Sequence, residues 1–258
     1  MDLHLSGRKA LITGASRGIG ATAAEVFAGE GCDLHLAARD GAALEALALR
    51  LRAAHGTDVS VHPVDLRSPG AAAALADAVG PVDILVNNAG DVPGGSLAEL
   101  DDSAWRGGFE LKVFGYIALA KQVYAQMTAG GVIVNTIGAS AERYDPAFIA
   151  GSTANAALVA FTRTLGGASP ADGIRVVGVS PAPVDTERIV TLTKAMARNH
   201  LGSEDRYREL FARFPFGRPA STREIADAIA FLASDRSAYT SGVVLTVDGG
   251  LTAKAGLA

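Results

Sequence analysis

The chain has 258 residues, 49% hydrophobic and 19% charged, with a formal net charge of −4; this excludes a disordered chain and leaves no electrostatic footprint for nucleic acid or an anionic membrane. A single cysteine, Cys32, excludes an intrachain disulfide and suits a reducing cytoplasm. No leader pattern or long uncharged apolar run is present and the five histidines are scattered, so neither a membrane span nor a metal site is expected.

The stretch 8–20, RKALITGASRGIG, opens on an apolar run at 10–12 that does not alternate, as in a strand buried on both faces. Gly14, Gly18 and Gly20 then punctuate a turn into a helix over 21–28. Strand, glycine-rich turn and helix predict nucleotide binding, because glycines let the backbone approach a pyrophosphate and the helix N-terminus presents free N–H groups. Two other readings of these residues stay open: a turn with no ligand, and a hydrolase nucleophile elbow through the G-x-S-x-G match at 14–18. Against the second, the turn follows the first strand and His200 is the only histidine in the C-terminal half.

A second strand is predicted over 33–38, followed by a helix over 42–54 capped by Asp40. A third strand, 59–64, ends at Asp65-Leu66, and Ser68-Pro69 opens a short alanine-rich helix. A fourth strand over 82–86 is closed by Asn87-Asn88-Ala89-Gly90, and a long helix runs over 103–127. Then come a strand at 131–137, a helix at 152–165, a strand at 175–179, a helix at 222–233 and a last strand at 243–247. The stretch 185–217 reads as irregular and as a substrate lid. This alternation predicts one α/β domain over 1–258, a doubly wound parallel sheet of the Rossmann type.

The turn spacing, T-G-x-x-x-G-x-G over 13–20, resembles that of the short-chain dehydrogenases and reductases, and the likeness runs from about residue 5 to 251. The resemblance implies that Gly14, Ser16, Gly18, Ile19 and Gly20 hold a dinucleotide, and that Asp65 and Leu66 contact its adenine. It also implies that Asn88, Ala89 and Gly90 lie against a ribose, and that Val184 and Thr186, in the segment SPAPVDT, hold the nicotinamide. Ala182 stands where that segment usually has glycine. An acidic residue at the end of the second strand would select NAD; here Ala38 is followed by Arg39, and Arg17 lies inside the glycine turn. Two guanidinium groups favour NADP, with NAD as the alternative, unless both are plain surface arginines and Asp40 pairs with Arg39.

The likeness breaks at the reaction centre. Aligned on the family, Gly138 stands for its serine, Gly151 for its tyrosine, Asn155 for its lysine and Lys112 for its asparagine, so the whole catalytic set is absent. In the family the tyrosine protonates the alkoxide that hydride transfer leaves. Asn155 can still hydrogen-bond ribose hydroxyls but carries no charge. Lys112 interrupts an apolar stripe of Trp105, Phe109, Tyr116 and Leu119, where partial desolvation would lower its pKa and make it an acid; the bland reading is a snorkelling lysine. Ser140 and Tyr144, in the loop after the fifth strand, are further donors. Two functions follow: an NADP-dependent oxidoreductase with a rewired relay, or a catalytically silent dinucleotide-binding protein serving as sensor or partner subunit. The substrate is a small molecule of unread identity. Apolar side chains on the long helix and on 152–165 (Phe114, Tyr116, Ile117, Leu158, Phe161), with the family's pairing of those helices, imply a homodimer or homotetramer.

Overall fold

The segments 9–13, 84–87, 132–136 and 175–181 bury side chains on both faces, and such strands pair in parallel under flanking helices. The computed structural model, which describes residues 2–254, shows one seven-stranded parallel sheet in the order β3-β2-β1-β4-β5-β6-β7. Its strands are β1 (Lys9–Thr13), β2 (Asp33–Ala38), β3 (Val59–Pro63), β4 (Ile84–Asn87), β5 (Val132–Thr136), β6 (Arg175–Pro181) and β7 (Val244–Val247). Ala10 pairs with both Leu34 and Ile84, and Ile84 with Val132, which fixes the central register. Met1 and 255–258, the ends of the predicted domain, and the His200 side chain lie outside the described residues.

Alternate strand residues supply two cores. Ile12, Leu34, Ile84 and Val134 pack under α1 (Gly18–Gly29), α2 (Gly41–His55) and α8 (Thr222–Ala233). Leu11, Leu85, Ile133 and Val176 pack under α3 (Ala71–Val79), α5 (Gly115–Tyr124) and α6 (Ile149–Ala168). Strand order reverses between β1 and β4, so a crevice opens beyond their carboxyl ends. No helix among the described residues is long and apolar enough to cross a membrane.

Three expectations change. The long helix over 103–127 is α4 (Asp102–Phe109), a π-helical turn (Glu110–Phe114) and α5, ending at Tyr124. The extra residue of that turn rotates everything after it, so the single stripe divides. Trp105 and Phe109 join Val92 and Ala150, Tyr116 joins Ile137 and Leu158, and Leu119 joins Leu85 and Ile133. The stretch 185–217 is not irregular: α7 (Glu187–Leu201) and a 3-10 segment (Glu204–Arg213) fill most of it, because its apolar residues recur at helical spacing. Asp40 does not pair with Arg39; its carboxylate accepts from Ala43 N (3.0 Å) and caps α2.

Candidate functional site

The crevice is built first by the glycine turn. Thr13, buried at the end of β1, donates through Oγ1 to Val86 O (3.3 Å) and accepts from Asn88 N (2.9 Å) and Ala89 N (3.1 Å). Asn88 Nδ2 returns a bond to Thr13 O (3.1 Å) and lies 3.3 Å from Gly14 O, so turn and β4 loop form one rigid body. A side chain at Gly14, φ +65°, would put its Cβ 2.9 Å from Ala89 Cα, and one at Gly20 would put its Cβ 2.2 Å from Gly14 O. The helix behind the turn has no side-chain cap at Arg17 and no acidic residue in its first turn. Uncapped N–H groups beside a backbone with no Cβ in the way fit a pyrophosphate, so the residues present suit a dinucleotide.

Arg39 is exposed just after β2 and makes no ion pair among the described residues. Arg17 is held by Glu187 (3.0 Å), the first residue of α7. Asp65 accepts from Arg67 N (3.0 Å), and Arg67 also lies 3.7 Å from Asp91. Leu66 is buried below them. Val184 bridges to Ala220, and the Thr186 methyl lies 3.4 Å from where a Cβ on Gly18 would stand, so the residue before α7 rests on the glycine turn.

Three of the glycines named above, Gly90, Gly138 and Gly151, are closely packed. At each of the three glycines another side chain holds the space. A Cβ on Gly151 would lie 2.0 Å from Phe148 Cε1, one on Gly138 would lie 2.6 Å from Asn155 Nδ2, and one on Gly90 would lie 2.8 Å from Lys112 Cδ. Asn155 is buried; its Nδ2 donates to Ser140 Oγ (2.9 Å) while its Oδ1 has no partner. Tyr144, the other loop hydroxyl, stands 76% exposed.

Lys112 sits in the π-helical turn, buried at the carboxyl end of β5. Its Nζ donates to Thr136 O (2.6 Å), Ile137 O (3.2 Å) and Tyr116 Oη (3.2 Å), and Tyr116 Oη in turn donates to Thr136 O (3.1 Å). Burial, with a smaller push from the Arg188 guanidinium, lowers the ammonium from 10.5 to about 7. The two carbonyls oppose that shift by favouring the charged form. Burial raises the Tyr116 phenol above its ordinary value, which keeps it a donor.

Reading the sequence missed Phe148, Asp91 and Arg188. Arg188 donates to Val92 O (2.6 Å), pairs with Asp91 (3.6 Å) and stacks on the Phe148 ring (5.6 Å to the centroid), tying α7 to the loop after β4 and to the start of α6. The signal was present: an aromatic residue three before a helical glycine points at the space that glycine leaves.

A family model described as "Enoyl-(Acyl carrier protein) reductase" matches residues 14–252. The chain is 31% identical to the 2-keto-3-deoxy-L-fuconate dehydrogenase of Xanthomonas campestris, over 96% of this chain and 81% of that one. It superposes with a TM-score of 0.92, at 32% identity and over 99% of this chain and 100% of the other, on L-sorbose reductase from Gluconobacter frateurii, whose structure holds NADPH and L-sorbose. A short-chain oxidoreductase from Pseudomonas aeruginosa PAO1, NADPH-bound and described as containing an atypical catalytic center, superposes with a TM-score of 0.82 at 30% identity, over 96% and 98% of the two chains.

Proposed function

We propose, from the premise that this chain belongs to the short-chain dehydrogenase/reductase family, that it is an NADP(H)-dependent oxidoreductase interconverting a carbonyl and an alcohol, with Lys112 as the ionisable group of an altered relay. NADPH in the solved relatives supports the choice of cofactor. When bound, the cofactor supplies or accepts the hydride. Gly14, Ser16, Gly18, Ile19 and Gly20 cradle its pyrophosphate; Asp65, Leu66, Asn88, Ala89 and Gly90 line the adenosine side, and Asn155, Val184 and Thr186 the nicotinamide side. The observation that carries the relay is Lys112 Nζ, buried against Gly90 and the Thr136 and Ile137 carbonyls and drawn to about 7. Its two bonds of 3.2 Å, to Ile137 O and Tyr116 Oη, are the weaker ones, which a substrate oxygen can displace. In reduction the ammonium gives that oxygen a proton; in oxidation the neutral amine takes it back. The test is NADPH consumption across a panel of ketones, aldehydes and alcohols.

One observation favours the second reading, a silent dinucleotide-binding protein: all three protons of Lys112 already have acceptors, and Phe148 fills the volume over Gly151. Tight NADPH binding with no turnover in any substrate would select it.

On this reading Arg39, and Arg17 once released from Glu187, would bind a 2′-phosphate. Calorimetry should find NADPH bound more tightly than NADH, and Arg39→Asp should invert that order by replacing a phosphate contact with a repulsion. Binding of neither dinucleotide would overturn the cofactor assignment. Ile117, Ala120, Tyr124, Phe161 and Leu165 line an apolar groove between α5 and α6, with Phe114 54% exposed nearby. A homodimer or homotetramer covering this face is expected, and light scattering at micromolar concentration should give a mass of at least twice 26.3 kDa. A cytoplasmic setting suits the lone thiol of Cys32, which burial pushes up to about 12 and keeps unreactive.

A further inference from the structure

We propose that Ser140 and Asn155 form a donor–acceptor subsite that selects a carbonyl bearing a hydroxyl on the neighbouring carbon, or the vicinal diol it becomes. The inference rests on the oxidoreductase reading and names the substrate class of that same site. Asn155 is 6% exposed, and the missing side chain of Gly138 lets its amide lie where a serine Cβ would meet Nδ2 at 2.6 Å. From there Nδ2 donates to Ser140 Oγ at 2.9 Å, leaving Oδ1 buried with no partner. Ser140 Oγ, having accepted this bond, has its own proton free; no acceptor for it exists among the described residues.

The pair therefore holds one free O–H donor and, covered by its surroundings, one unpaired amide acceptor, which a substrate reaches as the amide turns outward. Turning the amide over does not change the count: Ser140 would then donate to Oδ1, leaving its oxygen as acceptor and Nδ2 as donor. A substrate matching both needs an acceptor and a donor at adjacent positions. A ketone carbonyl next to a hydroxyl has this pattern: the carbonyl oxygen accepts from Ser140 while the neighbouring hydroxyl donates to Asn155. A buried acceptor left unpaired disfavours any substrate without that hydroxyl. Ser140 lies two residues beyond Gly138, on the loop leaving β5, whose last carbonyls hold Lys112. One end of β5 thus carries both the relay and the subsite.

Hydroxyacetone and 2-butanone differ only by a hydroxyl in place of a methyl group. The wild type should prefer hydroxyacetone in kcat/KM by about a hundredfold, since one unpaired buried polar group has that order of effect. Ser140→Ala and Asn155→Leu should each reduce the preference to about tenfold or less, and Ser140→Thr, which restores the hydroxyl, should regain it. Binding by ligand-observed NMR in the presence of NADP+ gives the same comparison without turnover. Selective binding of hydroxyacetone with no turnover keeps the subsite and sinks the oxidoreductase reading. Turnover of both ketones with equal kcat/KM overturns the subsite and leaves the oxidoreductase standing. Binding of neither ketone overturns the subsite. A fall in NADP+ affinity in Ser140→Ala, with ketone preference intact, would assign the pair to the cofactor ribose diol and overturn it equally.

Discussion

Lys112→Met is expected to lower turnover by about a hundredfold or more, because a general acid contributes on the order of 10² to 10⁴ in rate and the variant has none at that place. The fold and the NADPH affinity should survive. Methionine fills the π-helical turn with an unbranched chain of similar length, and Thr136 O keeps its bond from Tyr116. In the wild type, reduction should weaken as pH rises through about 7, where Lys112 loses its proton, and oxidation should strengthen over the same range. Stability carries an independent signature. The folded pKa of Lys112 lies below its ordinary 10.5, so between about 7 and 10.5 the unfolded chain binds the proton more tightly than the folded one. Stability attributable to this residue therefore rises with pH across that window, by up to about 1.4 kcal/mol per unit, and is flat below it. Melting curves from pH 7 to 10 should show this slope in the wild type and a shallower one in Lys112→Met. Equal kcat in the two proteins would remove Lys112 from the reaction.

What the sequence disclosed follows from range. The βαβ alternation, the glycine turn and the Asp40 cap are local, set by side chains within a few residues of one another, and each stands where it was read. Which residues stand at 138, 151 and 155 was legible, because a motif at fixed spacing names its positions. What fills the gaps was not. Phe148 over Gly151, Asn155 under Gly138 and Lys112 against Gly90 are contacts across a turn or between elements, and only packing reveals them. The π-helical turn is marked by no residue type, and the bonds of its Lys112 to Thr136 O and Ile137 O join residues 24 and 25 positions apart. The stretch 185–217 reads as irregular because its apolar residues are diluted by arginines, of which Arg198 and Arg206 pair with Glu204 and Glu209 once the helices form.

Restoring the family's tyrosine alone should fail, and for two separate reasons. The first is chemical: without a lysine at position 155, a phenol at position 151 keeps a pKa near 10 and relays protons poorly at neutral pH. The second is steric, and larger. Any side chain at position 151 begins 2.0 Å from Phe148 Cε1 and 2.1 Å from Cζ, so Gly151→Tyr must expel the Phe148 ring and break its stack with Arg188. Overpacking of this kind costs roughly 1–3 kcal/mol, and each kcal/mol lowers the melting temperature of a chain this long by about 2–4 °C. Gly151→Tyr with Asn155→Lys removes the chemical objection and keeps the steric one, so it too should melt early and lack family-type activity. Phe148→Ala in the same chain opens the volume and should recover most of the lost stability. Gly138→Ser loses its clash in that background, because the amide 2.6 Å from its Cβ is gone, and keeps only the backbone strain of φ +158°. The fourfold variant should therefore be the first of the series to turn over with tyrosine as its acid. In reduction its activity should fall as pH rises through the phenol's lysine-lowered pKa, the same direction as expected of Lys112, because in both the protonated form is the acid. A Gly151→Tyr single variant as stable as the wild type, with Phe148 still stacked on Arg188, would show that the glycine was never held by that ring.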